Sequence, residues 1–203
     1  MQATASALAI VLKTNHSRGC VPYAWKIGQV RADSVTAAFK LLTEAIPVEF
    51  RNTREEDYLP IIRVIDDWWD GRHMADMLPR LFFVHFQDTS FVATDSDRIV
   101  GFLVGFVSQT HPMQAYIHFV GVHPDYRKQE LGKALYEKFF ATVQERGCSE
   151  IHAVTSPVNK ASIEFHVRMG FEIEEGDAAV DGVQVKRDYD GRGQSRVRFM
   201  RRV

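Results

Sequence analysis

The residues best placed to do chemistry sit in one run, Val120 to Leu135, which reads VGVHPDYRKQELGKAL. A β-branched and aromatic stretch, Ala115 to Val122, ends at His123-Pro124-Asp125, which is turn chemistry. Arg127, Lys128 and Lys133 follow, while Leu131, Ala134, Leu135, Phe139 and Val143 recur at a helical period. The unit is therefore a strand, a basic turn and a helix N-terminus. Such a turn offers free backbone N–H groups and the positive end of a helix dipole beside cations, so it favours a phosphate or pyrophosphate. On the strand, alternation puts Tyr116, His118, Val120 and Val122 on one face. A second run, Thr155 to Phe171, brings Asn159 as a helix cap and His166. An ordinary histidine, with a pKa of about 6.5, donates or accepts a proton near neutrality.

Arg127-Lys128-Gln129-Glu130-Leu131-Gly132, with Ala134 beyond, resembles the Arg/Gln-x-x-Gly-x-Gly/Ala turn of the GNAT family of N-acetyltransferases. Asn159, Ser162, Phe165, His166, Gly170 and Phe171 fall on that family's second motif. The resemblance covers roughly residues 48–201 and implies acetyl transfer from acetyl-CoA to a primary amine. It implies cofactor contacts from Val120, Val122, Arg127, Lys128, Gln129, Glu130, Leu131, Gly132, Lys133, Asn159 and Phe165. Glu130 departs from the pattern, because it stands where the family has its first glycine. Its charge, at about 6 Å from a phosphate, would cost roughly 1 kcal/mol, weakening affinity without abolishing it.

The chemistry needs a base for the ammonium, a donor for the carbonyl oxygen and an acid for the leaving thiolate. The family's acid is often a tyrosine at the position of His166, so His166 is expected as that acid or as a group acting on the amine. His118 is the expected base, directly or through water, with Tyr116 as companion. The acceptor is expected among Trp69, Arg72 and His73, which follow the first helix, and Tyr189 in a later loop. An inward Arg72 would favour a carboxylate-bearing acceptor. No metal site is expected, since the histidines lack ligand spacing. Cys148, away from both motifs, argues for direct transfer in a ternary complex and against an acyl-cysteine intermediate. The competing reading is an acyl-CoA-binding module with little turnover.

The elements that must position these groups follow from periodicity. Val48–Arg51 reads as a strand, Thr53-Arg54-Glu55-Glu56 as a capping box, and Tyr58 to Trp69 as a helix. A second helix over Met74–Phe86 is interrupted or kinked at Pro79. Ser90–Thr94 and Arg98–Val107 form a hairpin, and the second strand, apolar on both faces, belongs in mid-sheet. Gln114–Val122, a helix to Arg146, Glu150–Thr155, a helix over Asn159–Met169, and strands Phe171–Glu174 and Arg196–Arg201 complete the order. The last two strands flank a polar loop with Asp-Gly turns at 181–182 and 190–191. The pattern predicts an α/β fold, a mixed sheet with helices on both faces; a mostly antiparallel sheet is what the resemblance implies.

The 203 residues suit one domain at 47–203 behind an N-terminal extension at 1–46. That extension carries five basic against two acidic residues, with a short helix expected over Asp33–Ile46. It is expected to be peripheral or poorly ordered. A transit peptide is the weaker reading, since nothing resembles a cleavage site. A net charge of −1 argues against nucleic acid as partner, and no apolar run reaches the roughly 20 residues of a membrane span. Two cysteines, Cys20 and Cys148, suggest a reducing, cytoplasmic setting. The expected partner is a small-molecule or peptide amine, and a homodimer is open to the chain.

Overall fold

A computed structural model describes residues 48–203. The extension at 1–46, with its expected helix, lies outside the described residues. Strands β1 (Glu49–Asn52), β2 (Phe91–Asp95), β3 (Arg98–Val107), β4 (Gln114–Val122), β5 (Glu150–Thr155), β6 (Glu172–Ile173) and β9 (Val197–Arg202) form one seven-stranded sheet. Its order is β1-β2-β3-β4-β5-β9-β6, antiparallel throughout except where β4 meets β5. Helices α1 (Tyr58–Trp68) and α2 (Leu81–His85) cover one face, and α3 (Leu131–Glu145) and α4 (Lys160–Arg168) the other.

Mid-sheet β3 explains its own apolarity. Leu103 joins the core under α3 and α4, while Phe102 and Val104 join the core under α1 and α2. Gly105 lets α3 approach the sheet closely: a Cβ there would lie 2.4 Å from the Phe139 ring and 2.8 Å from the Tyr116 carbonyl.

Two local expectations need correction, and the break expected at Pro79 is present. Thr53 does not cap α1, and its hydroxyl is buried without a partner. Instead the Asp57 carboxylate accepts from the Arg54 N–H at 2.8 Å and clamps the Arg51 guanidinium with two bonds of 2.7 Å. A charged acceptor so placed outcompetes a hydroxyl. The helix expected over Met74–Phe86 is a short turn, Ala75–Met77, and then α2, because Pro79 cannot continue the ladder. The expected polar loop holds a hairpin, β7 (Ala178–Val180) and β8 (Val183–Val185). Asp181 and Gly182 turn it with φ of 50° and 80°, the left-handed pair that a tight hairpin requires.

The largest departure is in β4. Val104 pairs with Phe119 but Gly105 with Ile117, so His118 is an extra residue in the ladder. This β-bulge shifts the phase of the strand. Ala115 and Ile117 face α3 before the bulge, Val120 and Val122 face α3 after it, and Phe119 faces α1. Tyr116, His118, Val120 and Val122 therefore do not share a face, as simple alternation predicted. Tyr116 and His118 lie on the α1–α2 side, stacked on Phe106 and Phe82 respectively.

Candidate active site

The bulge also parts two strands. β4 and β5 pair from Gln114 opposite Glu150 to Ile117 opposite Ala153 and no further, although both continue. The His123 N–H bonds the Val100 carbonyl at 2.9 Å, so ladder alternation turns Gly121 toward β3 and the backbones of Val120 and Val122 toward the gap. Arg127 Nε reaches the Val122 carbonyl at 3.3 Å, consistent with that direction. A cleft results, with the β4 backbone at Val120 and Val122 as one wall and the Val122 carbonyl taken by Arg127.

The basic turn closes one end of the cleft. Lys128 and Glu130 adopt φ of 64° and 60°, both left-handed, and α3 starts at Leu131 with the N–H groups of its first turn unpaired. The Glu130 side chain points outward, 78% exposed, with Lys133 Nζ at 3.5 Å. Its carbonyl begins the helix by accepting from the Ala134 N–H. Gly132 faces the Phe165 ring and Val122, where a Cβ would make ordinary contacts at 3.4 to 3.7 Å. Arg127 and Gln129 act within the loop itself. The Arg127 guanidinium donates to the Trp68 and Val122 carbonyls, and the Gln129 amide donates to the Asp125 carbonyl at 2.8 Å. Lys128 has no carboxylate within 4.0 Å among the described residues. Asn159 caps α4, its Oδ1 accepting from the Ser162 N–H at 3.2 Å.

His166 is not in the cleft. It is 5% exposed and stacked at 4.5 Å on Phe199. Its Nδ1 donates to the Ser162 carbonyl at 2.7 Å, so its Nε2 accepts from the Tyr136 hydroxyl at 3.0 Å. Both nitrogens are used inside the core, and burial lowers its pKa against the opposing Ser162 carbonyl. The expectation that it protonates a leaving thiolate is corrected on that geometry: α4 turns this position inward.

On the other side of the sheet, His118 stacks on Phe82 at 4.1 Å and its Nε2 lies 2.8 Å from the Met77 carbonyl. A carbonyl only accepts, so Nε2 carries the proton and Nδ1 holds the lone pair. Burial lowers the His118 pKa, partly offset by that carbonyl and by Asp190. Burial raises the Tyr116 pKa, with Tyr189 and Asp190 adding to it, so its hydroxyl stays neutral.

A cavity of about 420 Å³ lies over β4 and β5, lined by Phe106, Tyr116, His152, Glu174, Tyr189 and Arg198 among others. Tyr189 thus lines the same cavity as Tyr116. Trp69, Arg72 and His73 are not brought there. Trp69 packs edge-on against Phe119, Arg72 Nε bonds the Trp69 carbonyl, and His73 is 91% exposed beside Asp66. The left-handed Asp70 and Gly71 end α1 and turn these side chains away. Asp66 instead holds the next turn inward, accepting from the Met74 and Ala75 N–H groups. His152, Glu174 and Arg198 were missed. The signal was present for His152, which alternates with the buried Ile151 and Ala153. A larger hollow of about 780 Å³ flanks α1 on the β2–β3 hairpin side, away from Tyr116 and His118.

Solved structures with this fold include Ard1 from Thermoplasma volcanium (TM-score 0.62, 19% identity, covering 77% of this chain and 97% of that one). Diaminobutyrate acetyltransferase from Paenibacillus lautus, in complex with its substrate and coenzyme A, shares it too (TM-score 0.57, 20% identity, covering 76% and 94%). At the level of sequence, the family profile described as the acetyltransferase (GNAT) family matches residues 45–171. The chain belongs to the GNAT acetyltransferase family. An N-alpha-acetyltransferase of Schizosaccharomyces pombe is 31% identical over 93 residues, 44% of this chain and 62% of that protein. An L-2,4-diaminobutyric acid acetyltransferase of Nocardia farcinica is 33% identical over 78 residues, 38% and 40% respectively. The chain thus spans less than two thirds of the length of these relatives. Among the described residues no helix is long and apolar enough to cross a membrane.

Proposed function

We propose that this chain transfers an acetyl group from acetyl-CoA to a primary amine, by direct attack with both substrates bound. The observation that carries the reading is the cleft where β4 parts from β5, ending at a basic turn and a free helix N-terminus. The Val120 and Val122 peptide groups suit an extended amide chain and the thioester carbonyl, where a fixed N–H stabilises developing negative charge. The first turn of α3, with Lys128 and Lys133, suits the pyrophosphate. Gly132 and Phe165 form the wall between α3 and α4. Arg127 and Gln129 brace the turn, and Asn159 fixes the start of α4.

On the acceptor side His118 takes the amine proton at Nδ1. Its fixed tautomer and lowered pKa keep that lone pair available at neutral pH. Tyr116 positions the amine or an intervening water. With His166 in the core, the thiolate leaves without that acid. This last point also favours a second reading, an acyl-CoA-binding module with little turnover. The relatives' names cover both a protein terminus and a small amino acid, so acceptors of both kinds are to be screened.

The test is a calorimetric titration with acetyl-CoA, followed by thiol release with a panel of amines. Micromolar binding and turnover that falls about a hundredfold in His118→Gln are expected. Binding without turnover selects the module, and absence of binding removes both readings.

A further inference from the structure

Resting on the acyl-transfer reading, we propose that the acceptor carries a second positive charge received by Glu174, so that the cavity over β4 and β5 selects diamines. The Glu174 side chain is 29% exposed and lines the cavity. Its nearest basic side-chain atoms are His152 Nδ1 at 3.9 Å and Arg198 Nε at 4.0 Å, both beyond hydrogen-bond length. No hydrogen bond to this carboxylate is made among the described residues. Its neighbours are all engaged. Glu150 accepts from Gln114 at 3.0 Å and from His152 Nε2 at 3.4 Å, and an Arg198 N–H donates to the Glu175 carbonyl at 2.8 Å. A partly buried carboxylate with unfilled lone pairs is an open seat for an ammonium group.

The surroundings agree. Of the lining residues Glu174 is the carboxylate and Arg198 the guanidinium, and an Arg198 N–H is already committed to the Glu175 carbonyl. The remaining walls are aromatic, Phe106 and Tyr116 with centroids 5.5 Å apart, and Tyr189 beside them; ring faces attract cations. Arg72, the one residue expected to draw a carboxylate-bearing acceptor, is tied to the Trp69 carbonyl outside the cavity.

Geometry limits the spacer. Glu174 is bonded through its N–H to the Arg198 carbonyl, level with Val154, and its carboxylate reaches back over β5 to His152. That places it roughly one strand spacing, about 5 Å, from the line of β4 where pairing stops. The reacting amine and the second cation are then separated by roughly three to five carbon atoms.

The experiment compares putrescine with n-butylamine, and cadaverine with n-pentylamine, in thiol release from acetyl-CoA by the full chain. The expected kcat/KM is about tenfold or more higher for each diamine, chiefly through KM. Glu174→Gln should bring each pair to within about twofold, Glu174→Asp should keep part of the preference, and acetyl-CoA affinity checks that both variants fold. Equal rates for diamine and monoamine, turnover of neither, or a preference untouched by Glu174→Gln would overturn the inference. The acetyl-CoA titration separates the two levels. Absence of binding removes the acyl-transfer reading itself, whereas binding without diamine preference removes only the role of Glu174.

Discussion

Glu130 holds a left-handed backbone at the start of α3, where a side chain is disfavoured. The left-handed conformation costs a non-glycine residue roughly 1–2 kcal/mol. Glycine relieves it but loses about 0.5–1 kcal/mol to its freer unfolded chain. The ion pair with Lys133 joins two largely exposed side chains and contributes little. Glu130→Gly should therefore stabilise the protein by about 0.5–1 kcal/mol, a rise in Tm of about 1–4 °C for a domain of this size. Glu130→Ala keeps the backbone strain and should show no such rise. Both substitutions remove the carboxylate from the phosphate turn, about 1 kcal/mol at about 6 Å, and both should tighten acetyl-CoA roughly fivefold. Scanning calorimetry and isothermal titration read the two effects separately. A Glu130→Gly protein no more stable than wild type, or an alanine variant that matches it in Tm, would refute the backbone argument.

Two further outcomes follow from the core. His166→Phe leaves the Tyr136 hydroxyl and the Ser162 carbonyl without their partner and should cost about 1–3 kcal/mol in urea unfolding, with the pH profile of acetyl transfer unmoved. Because the folded pKa of His166 lies below its unfolded value, the unfolded chain binds the proton first as pH falls. Stability is then constant above about pH 6.5 and declines below it, by at most about 1.4 kcal/mol per pH unit for one proton. His166→Phe should flatten that decline; a lost acid limb in the rate profile would instead restore the proton-donor role. Gly105→Ala forces a methyl against Phe139 and the Tyr116 carbonyl and should destabilise by about 1–3 kcal/mol, read as a lower urea midpoint at unchanged slope.

The order of strands and helices was legible because each carries its own period and punctuation, from the doubly apolar β3 to the helical recurrence of Leu131, Leu135, Phe139 and Val143. The phosphate turn was legible for the same reason, since its strand, cations and helix are contiguous. What could not be read depended on partners distant in sequence. Asp57 displaced Thr53 as cap because Arg51 stands across from it, and His166 turned inward because Tyr136 and Phe199 receive it. Arg72 and His73 were lost to the cavity through a left-handed turn at Asp70 that no alternation rule marks. Glu174 and Arg198 meet His152 only when β9 is laid between β5 and β6. The bulge at His118 was invisible for a different reason: an extra residue in a ladder is defined by the neighbouring strand.

That extra residue divides β4 into two independently tunable halves. Residues up to Tyr116 line the cavity proposed for the amine, and residues from Val120 onward address the cleft proposed for the acyl donor. Substitution in the first half can therefore change the acceptor while leaving the donor cleft intact, so a single strand carries two separately evolvable specificities. Deletion is another matter. Losing His118 would leave β4 in simple alternation with Phe119 still toward α1 and Val120 and Val122 still toward α3, so the bulge and the proposed base would go while every later residue kept its face.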